Sequence, residues 1–201
     1  MRIGVYGGSF DPVHSGHIKL IRAAQKALKL NMIIIMPTSQ NPLKKQAANA
    51  SANQRLSMAR LAFGGIKDVK ICGYEAKRKP PAFSINSIKY LRKRWGQKAE
   101  YYFIAGSDVI SQWPKWKSID ELMSLCSFTI AYRKGQEVVV KPKHAKYAHL
   151  SFQMQPDEAS STVIKKQLKS NTICPKSLDP KVFNYIKINK LYSCKGSYEK
   201  K

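Results

Sequence analysis

The chain is short of acid, cysteine and long apolar runs. Its 201 residues carry 12 Asp and Glu against 36 Lys and Arg, a formal net charge of +24. The four cysteines, Cys72, Cys126, Cys174 and Cys194, are scattered with no C-x-x-C pair. That spacing argues against a disulfide framework and a zinc module, and it fits a reducing cytoplasm. The unbroken apolar run Met32-Ile33-Ile34-Ile35-Met36 stops at Pro37, far short of the roughly 20 residues that cross a bilayer. The opening Met1-Arg2-Ile3-Gly4-Val5-Tyr6 lacks the layout of a signal peptide. No internal repeat or low-complexity tract is present. A membrane protein, a secreted disulfide-stapled fold and a small metal module are thereby set aside.

What remains is a basic chain with 43% hydrophobic residues, enough for one sizeable core. The expected organisation is a single domain over residues 1–195, with a helical C-terminal portion from about residue 160 and a frayed tail over 196–201. The positive charge favours polyanionic partners: nucleic acid, anionic lipid or phosphorylated small molecules. Basic clusters occur at Lys77-Arg78-Lys79, Arg92-Lys93-Arg94 and Lys141 to Lys146. None is an arginine-rich segment with interleaved aromatics, so nucleic acid ranks low as the main ligand.

Hydrophobic periodicity sets the fold class. Ile3 to Tyr6 reads as a buried strand running into Gly7-Gly8, and Ile18, Leu20, Ile21, Ala24 and Leu28 recur at helical spacing between His17 and Leu30. The run Met32–Met36 suits a parallel strand covered on both faces. This is a βαβ unit. Further strands are expected at 69–72, 101–105 and 128–132, with a last short one over 149–152. Helices are expected at 54–63, from an N-cap at Ser84 to Arg94, at 119–125, from Ser160-Ser161-Thr162 to Leu168, and after Asp179-Pro180. Residues 43–52 and 135–146 read as mobile surface loops. The fold class is therefore α/β, Rossmann-like, with a parallel sheet flanked by helices.

In such a sheet, ligands bind beyond the carboxyl ends of the strands. The loop found there after the first strand is Gly7-Gly8-Ser9-Phe10-Asp11-Pro12-Val13-His14-Ser15-Gly16-His17. Two glycines let backbone N–H groups approach a phosphate, and the following helix aims its positive end at the same point. His14 and His17, three residues apart, share a helix face, and Gly16 between them leaves room for a ligand. The loop is neither a G-x-G-x-x-G fingerprint nor a Walker loop. No further ligand cluster accompanies the histidines and Asp11, so no protein-ligated metal is expected.

These residues resemble the signature of the nucleotidyltransferase superfamily with the H-x-G-H motif, in particular the nicotinate mononucleotide adenylyltransferase family. The likeness runs nearly end to end: residues 37–44, Glu75 to Ile88, Gly106-Ser107-Asp108 with Trp113-Pro114-Lys115-Trp116, Arg133, Ser160-Ser161-Thr162-Val163-Ile164-Lys165, and Val182 to Tyr192. The resemblance implies that Gly7, Gly8 and Ser9 contact ATP phosphates, and that His14, His17 and Lys165 are catalytic. It further implies that Gly106, Asp108 and Arg133 take part in holding ATP, with Ser161 and Thr162 gripping the triphosphate. On the acceptor side, Lys44 would approach the mononucleotide phosphate and Trp116 would stack on the pyridine ring. The backbone around Phe83 and Ser84 would receive the ring's carboxylate.

The sequence departs from the family pattern mainly on the acceptor side. Thr38 and Leu43 replace asparagine and histidine, Ala82-Phe83-Ser84 replaces Ser-Tyr-Thr, and Asn86 stands where aspartate is usual. Lys165 replaces arginine, keeping the charge but not the planar fork. The implied reaction joins ATP, carrying Mg²⁺, to nicotinate mononucleotide, with release of pyrophosphate. Nicotinamide mononucleotide or another phosphorylated acceptor is the alternative, and a non-catalytic polyanion binder is a third reading. A homodimer is left open.

Overall fold

The computed structural model describes residues 1–40, 47–133, 150–155, 157, 159–170 and 173–193, without the side chains of Asp108, Ser111 and Arg133. Six strands are found: β1 (Arg2–Gly8), β2 (Met32–Pro37), β3 (Val69–Ile71), β4 (Glu100–Gly106), β5 (Ser127–Arg133) and β6 (Leu150–Met154). They form one sheet in the order β3-β2-β1-β4-β5-β6, and every pairing is parallel. The chain winds outward from β1 through β2 to β3, then returns to lay β4 on the other side of β1. That reversal opens a crevice above β1 and β4, where a Rossmann-like sheet takes its ligand.

Strand periodicity divides the core in two. Tyr6, Ile33, Ile35, Tyr102 and Ile104 face helices α1 (Ser15–Ala27), α2 (Ala52–Phe63), α5 (Ser161–Ser170) and α6 (Pro180–Ile188). Their alternates Ile3, Val5, Ile34, Met36, Tyr101 and Phe103 face α3 (Ser84–Trp95), α4 (Ile119–Leu125) and a 3₁₀ helix over Ser107–Lys115. The central strands are apolar at nearly every position because both faces are covered.

Several boundaries differ from expectation. The first helix starts at Ser15 and ends at Ala27, not Leu30. Lys29 adopts φ 48°, and the Leu30 N–H turns back to the Gln25 carbonyl. Ser84 is the first helical residue of α3 and not its N-cap. Phe83 takes the extended N-cap backbone, and its side chain makes no capping hydrogen bond. The segment 107–115, for which no element was expected, is 3₁₀ helix, and its buried Ile110 and Trp113 stand one three-residue turn apart. The described end of the expected loop 43–52 is anchored. Ala50 is buried, and Ser51 forms a reciprocal capping box with Gln54. The expected loop 135–146 lies outside the described residues.

The C-terminal elements close back on the start of the chain. After α6, a short 3₁₀ turn (Leu191–Ser193) buries Tyr192, whose hydroxyl donates to Asp11 Oδ1 at 2.9 Å. Burial would raise the Asp11 carboxyl. The backbone N–H groups of Asn49 and Ala50, the Tyr192 hydroxyl and the Lys165 ammonium together outweigh it and hold the pKa below the ordinary value. A carboxylate so depressed adds stability above its unfolded pKa and loses it as pH falls through the folded one. Tyr192→Phe should therefore cost about 2 kcal/mol of unfolding free energy near neutral pH, the scale of a buried hydrogen bond to a charge. The deficit should shrink in acid. Urea unfolding at both pH values tests this, and a pH-independent deficit would reduce Tyr192 to packing alone.

Candidate active site

The loop leaving β1 is built around Phe10. This residue adopts φ 49° and is 1% exposed. Its ring tucks under Gly8, where an added Cβ would lie 3.0 Å from it, and packs edge-on against Tyr6, His17 and Phe63. A side chain at Gly8 would therefore press on the Phe10 ring. The His14 and His17 rings lie 3.8 Å apart between centroids. The His14 N–H donates to His17 Nδ1 at 3.1 Å, which assigns the proton of a neutral His17 ring to Nε2. The room that Gly16 leaves is filled by His14, since a Cβ there would sit 3.1 Å from the imidazole.

Above β1 and β4 lies a cleft of about 320 Å³. Of the residues singled out from the sequence, Gly7, Gly8, Ser9, His17, Phe83, Ser84, Gly106 and Trp116 line it. Trp116 stands against Phe103 and Phe128, 5.4 and 5.7 Å between centroids. Trp113, by contrast, is fully buried. Exposed Lys115 and Lys117 also line the cleft, the Lys117 ammonium lying 4.6 Å from the Phe83 ring centroid. The uncapped start of α3 reaches the cleft at Phe83 and Ser84, so first-turn N–H dipoles add to this cationic lining.

The second signature docks on the first. Ser161, at the start of α5, donates to the Pro12 carbonyl at 3.0 Å across 149 residues of sequence. The Ser160 hydroxyl accepts from the Val163 N–H. Asp157 accepts from the Ser15 hydroxyl and the Ala159 N–H, and pairs with Lys19 at 3.0 Å. Thr162 is exposed on the first turn of α5. Lys165 does not line the cleft. Its ammonium rests on Asp11 Oδ2 at 3.2 Å and Asn49 Oδ1 at 2.8 Å. Lys44 lies outside the described residues, as do His144, His149 and Cys194, and so do the side chains of Asp108 and Arg133. Among the described residues no group of three or more His, Cys, Asp or Glu could hold a metal ion. Burial pushes the Cys126 thiol up to about 12, away from reactivity.

Two residues carry more of the site than the sequence reading assigned them. Arg55 is 1% exposed, and its guanidinium donates to the carbonyls of Ser9, Thr38, Ser39 and Ala50 at 2.7 to 3.1 Å. It ties the loop after β1 to the loop after β2. Burial lowers its pKa while the Asp11 charge opposes that, and an arginine stays protonated under such a shift. Its position was a legible signal: Arg55, Ala59 and Phe63 fall four residues apart on the buried face of α2. Glu75 lines the cleft, accepts a short hydrogen bond from the Ser87 hydroxyl and another from Thr38, and has its pKa raised because burial outweighs both.

Residues 5–167 match the cytidylyltransferase-like family. A Methylacidiphilum infernorum protein named "Probable nicotinate-nucleotide adenylyltransferase" is 34% identical over 198 residues, covering 95% of this chain and 92% of that protein. A Campylobacter jejuni protein of the same name is 34% identical over 191 residues, covering 94% and 99%. Among solved structures, the Plasmodium falciparum nicotinic acid mononucleotide adenylyltransferase complexed with NaAD superposes with a TM-score of 0.72. That match has 18% identity and covers 96% of this chain and 98% of that one, a likeness of fold. Matched across both signatures and nearly its full length, this chain belongs to the cytidylyltransferase-like family and, within it, to the nicotinate-nucleotide adenylyltransferases.

Proposed function

We propose that this chain transfers the adenylyl group of ATP to nicotinate mononucleotide, giving deamido-NAD and pyrophosphate in NAD biosynthesis. The observation that carries the reading is the coincidence, in one cleft, of Gly7, Gly8, Ser9 and His17 with Trp116 and the uncapped start of α3. One lining suits a polyphosphate and the other an anionic aromatic ring. The names of the relatives support the acceptor, as does the NaAD held by the Plasmodium enzyme.

An oxygen of the mononucleotide phosphate attacks the α-phosphorus of ATP in line, the bond to the β-phosphate oxygen breaks, and pyrophosphate leaves with the electron pair. The attacking phosphate is already ionised at neutral pH, so no general base is required. The work of the protein is positioning and charge stabilisation. Nε2–H of His17 is a donor for the phosphate oxygens as charge builds, and the His14 ring packed against it, with the His14 backbone N–H on His17 Nδ1, restricts the imidazole. Backbone N–H groups of Gly8 and Ser9 serve the same end. Mg²⁺ arrives with ATP as part of the substrate. Ser161, Thr162 and Lys165 would grip the triphosphate, and Lys165 would have to exchange its present partner Asp11 for phosphate. Gly106, with Asp108, would hold the adenylate ribose, and Arg133 would take part in ATP binding. Lys44 would meet the acceptor phosphate, Phe83 and Ser84 its carboxylate, and Trp116 its pyridine ring.

The departures at Ala82-Phe83-Ser84 and Thr38 favour a second reading in which the amide mononucleotide is the acceptor. Chromatographic detection of the dinucleotide formed from ATP and Mg²⁺ with each mononucleotide separately distinguishes them. Deamido-NAD from the acid form, with little NAD from the amide, is the expected result. NAD alone would move the chain to the second reading, and neither product would sink both. His17→Ala should lower kcat by about 10² to 10³, the scale of a lost transition-state donor. An unchanged kcat would remove His17 from the mechanism.

A further inference from the structure

Glu75 is a buried acid in the lining of the cleft that the adenylyl transfer does not use. It follows β3, and its carboxyl sits between two other cleft-forming segments. On one side the Ser87 hydroxyl, 1% exposed in the first turn of α3, donates to Oε1. On the other the Thr38 hydroxyl, just beyond β2, donates to the same carboxyl. Thr38 is fixed independently as well: its N–H donates to the Gly8 carbonyl at 3.0 Å, and its own carbonyl accepts from Arg55 at 2.7 Å. Among the described residues, the backbone bond between the loop after β2 and the start of α3 is a long one, from Ala82 N–H to the Gln40 carbonyl at 3.3 Å. The Thr38–Glu75–Ser87 bridge therefore sets where the N-terminus of α3 stands relative to the end of β2.

We infer that Glu75 is a positioning residue for the acceptor: it locks the start of α3, with Phe83 and Ser84, at the distance from the sheet that a pyridine carboxylate requires. This rests on the adenylyltransferase reading above. Glu75 works as a hydrogen-bonded bridge and not as a charge, because an ionised carboxylate beside the start of α3 would repel an anionic acceptor arriving there. Burial also favours its uncharged form. The ATP side is held by separate contacts, Phe10 under His17 and Arg55 on Ser9, so loss of the bridge should be felt on one substrate and not the other. Thr38, where the family resemblance places asparagine, is thus the partner that completes the bridge in this chain.

The test is calorimetric binding of nicotinate mononucleotide and, separately, of Mg²⁺-ATP to the wild-type protein and to Glu75→Gln, Glu75→Ala and Ser87→Ala. Glu75→Ala should weaken nicotinate mononucleotide binding about tenfold or more while ATP binding stays within about twofold, as for a lost buried hydrogen-bond bridge. Glu75→Gln, which keeps an acceptor for Ser87, should bind the mononucleotide nearly as the wild type does. Ser87→Ala, which never touches the cleft, should fall between, and with Glu75→Gln it decides the matter if Glu75→Ala does not fold. Unchanged mononucleotide binding in Glu75→Ala and Ser87→Ala would overturn the inference alone. A Glu75→Gln protein as weak as the alanine variant would overturn it in favour of a charge role, and equal weakening toward ATP would overturn its selectivity. A folded wild type that does not bind the mononucleotide would overturn the functional reading and this inference together.

Discussion

The arrangement of the cleft depends on one buried cation. Arg55 rises from the first turns of α2 and spends its guanidinium on four backbone carbonyls drawn from three separate segments. A buried charge is costly unless its donors are satisfied. Here the cost is offset by short charge-assisted bonds and by the nearby Asp11 carboxylate. The loops after β1 and β2 leave neighbouring strands and already meet at the Thr38 N–H on the Gly8 carbonyl and at the Asn49 and Ala50 N–H groups on Asp11. Sharing one rigid planar fork, they become a single surface. Lysine, a flexible point charge, could not hold four carbonyls in the same way.

Asp11 is the complementary centre. It collects two backbone N–H groups, the Tyr192 hydroxyl and the Lys165 ammonium. Through it the first loop, the start of α2, helix α5 and the final 3₁₀ turn bear on one carboxylate. The C-terminal helices are therefore more than a lid on the core. They carry the second signature, Ser160 to Lys165, to the first, and Ser161 fixes that contact at Pro12. The negative hub also keeps a positive charge close to a loop suited to phosphate, which is where a site for two polyanions needs it. The wider excess of +24 is not required for this local arrangement.

The parallel sheet was legible because its strands are buried on both faces and read as apolar runs, as Met32–Met36 does. The cleft position followed from topology, and the loop Gly7 to His17 from its unusual concentration of glycine and histidine. What was hidden has physical reasons. Three-residue periodicity at Ile110 and Trp113 falls between the strand and α-helix templates, so the 3₁₀ helix matches neither pattern in the sequence. Ser84 invited an N-cap reading by residue type, but tertiary contact gave the extended backbone to Phe83. The roles of Glu75 and Thr38 exist only through the meeting of three segments, the end of β2, the turn after β3 and the start of α3. No local pattern encodes such a meeting. Arg55 was the exception, a charge standing in the apolar register of α2 whose position already demanded buried partners.

Arg55 makes the two loops one rigid surface. Amide hydrogen exchange, followed residue by residue in the wild-type protein and in Arg55→Lys, tests it most directly. Protection should fall together at Phe10 to Gly16 and at Thr38 to Gln40, while β1 and β4 exchange as before. Loops that stay equally protected, or a loss spread evenly over the whole sheet, would contradict it.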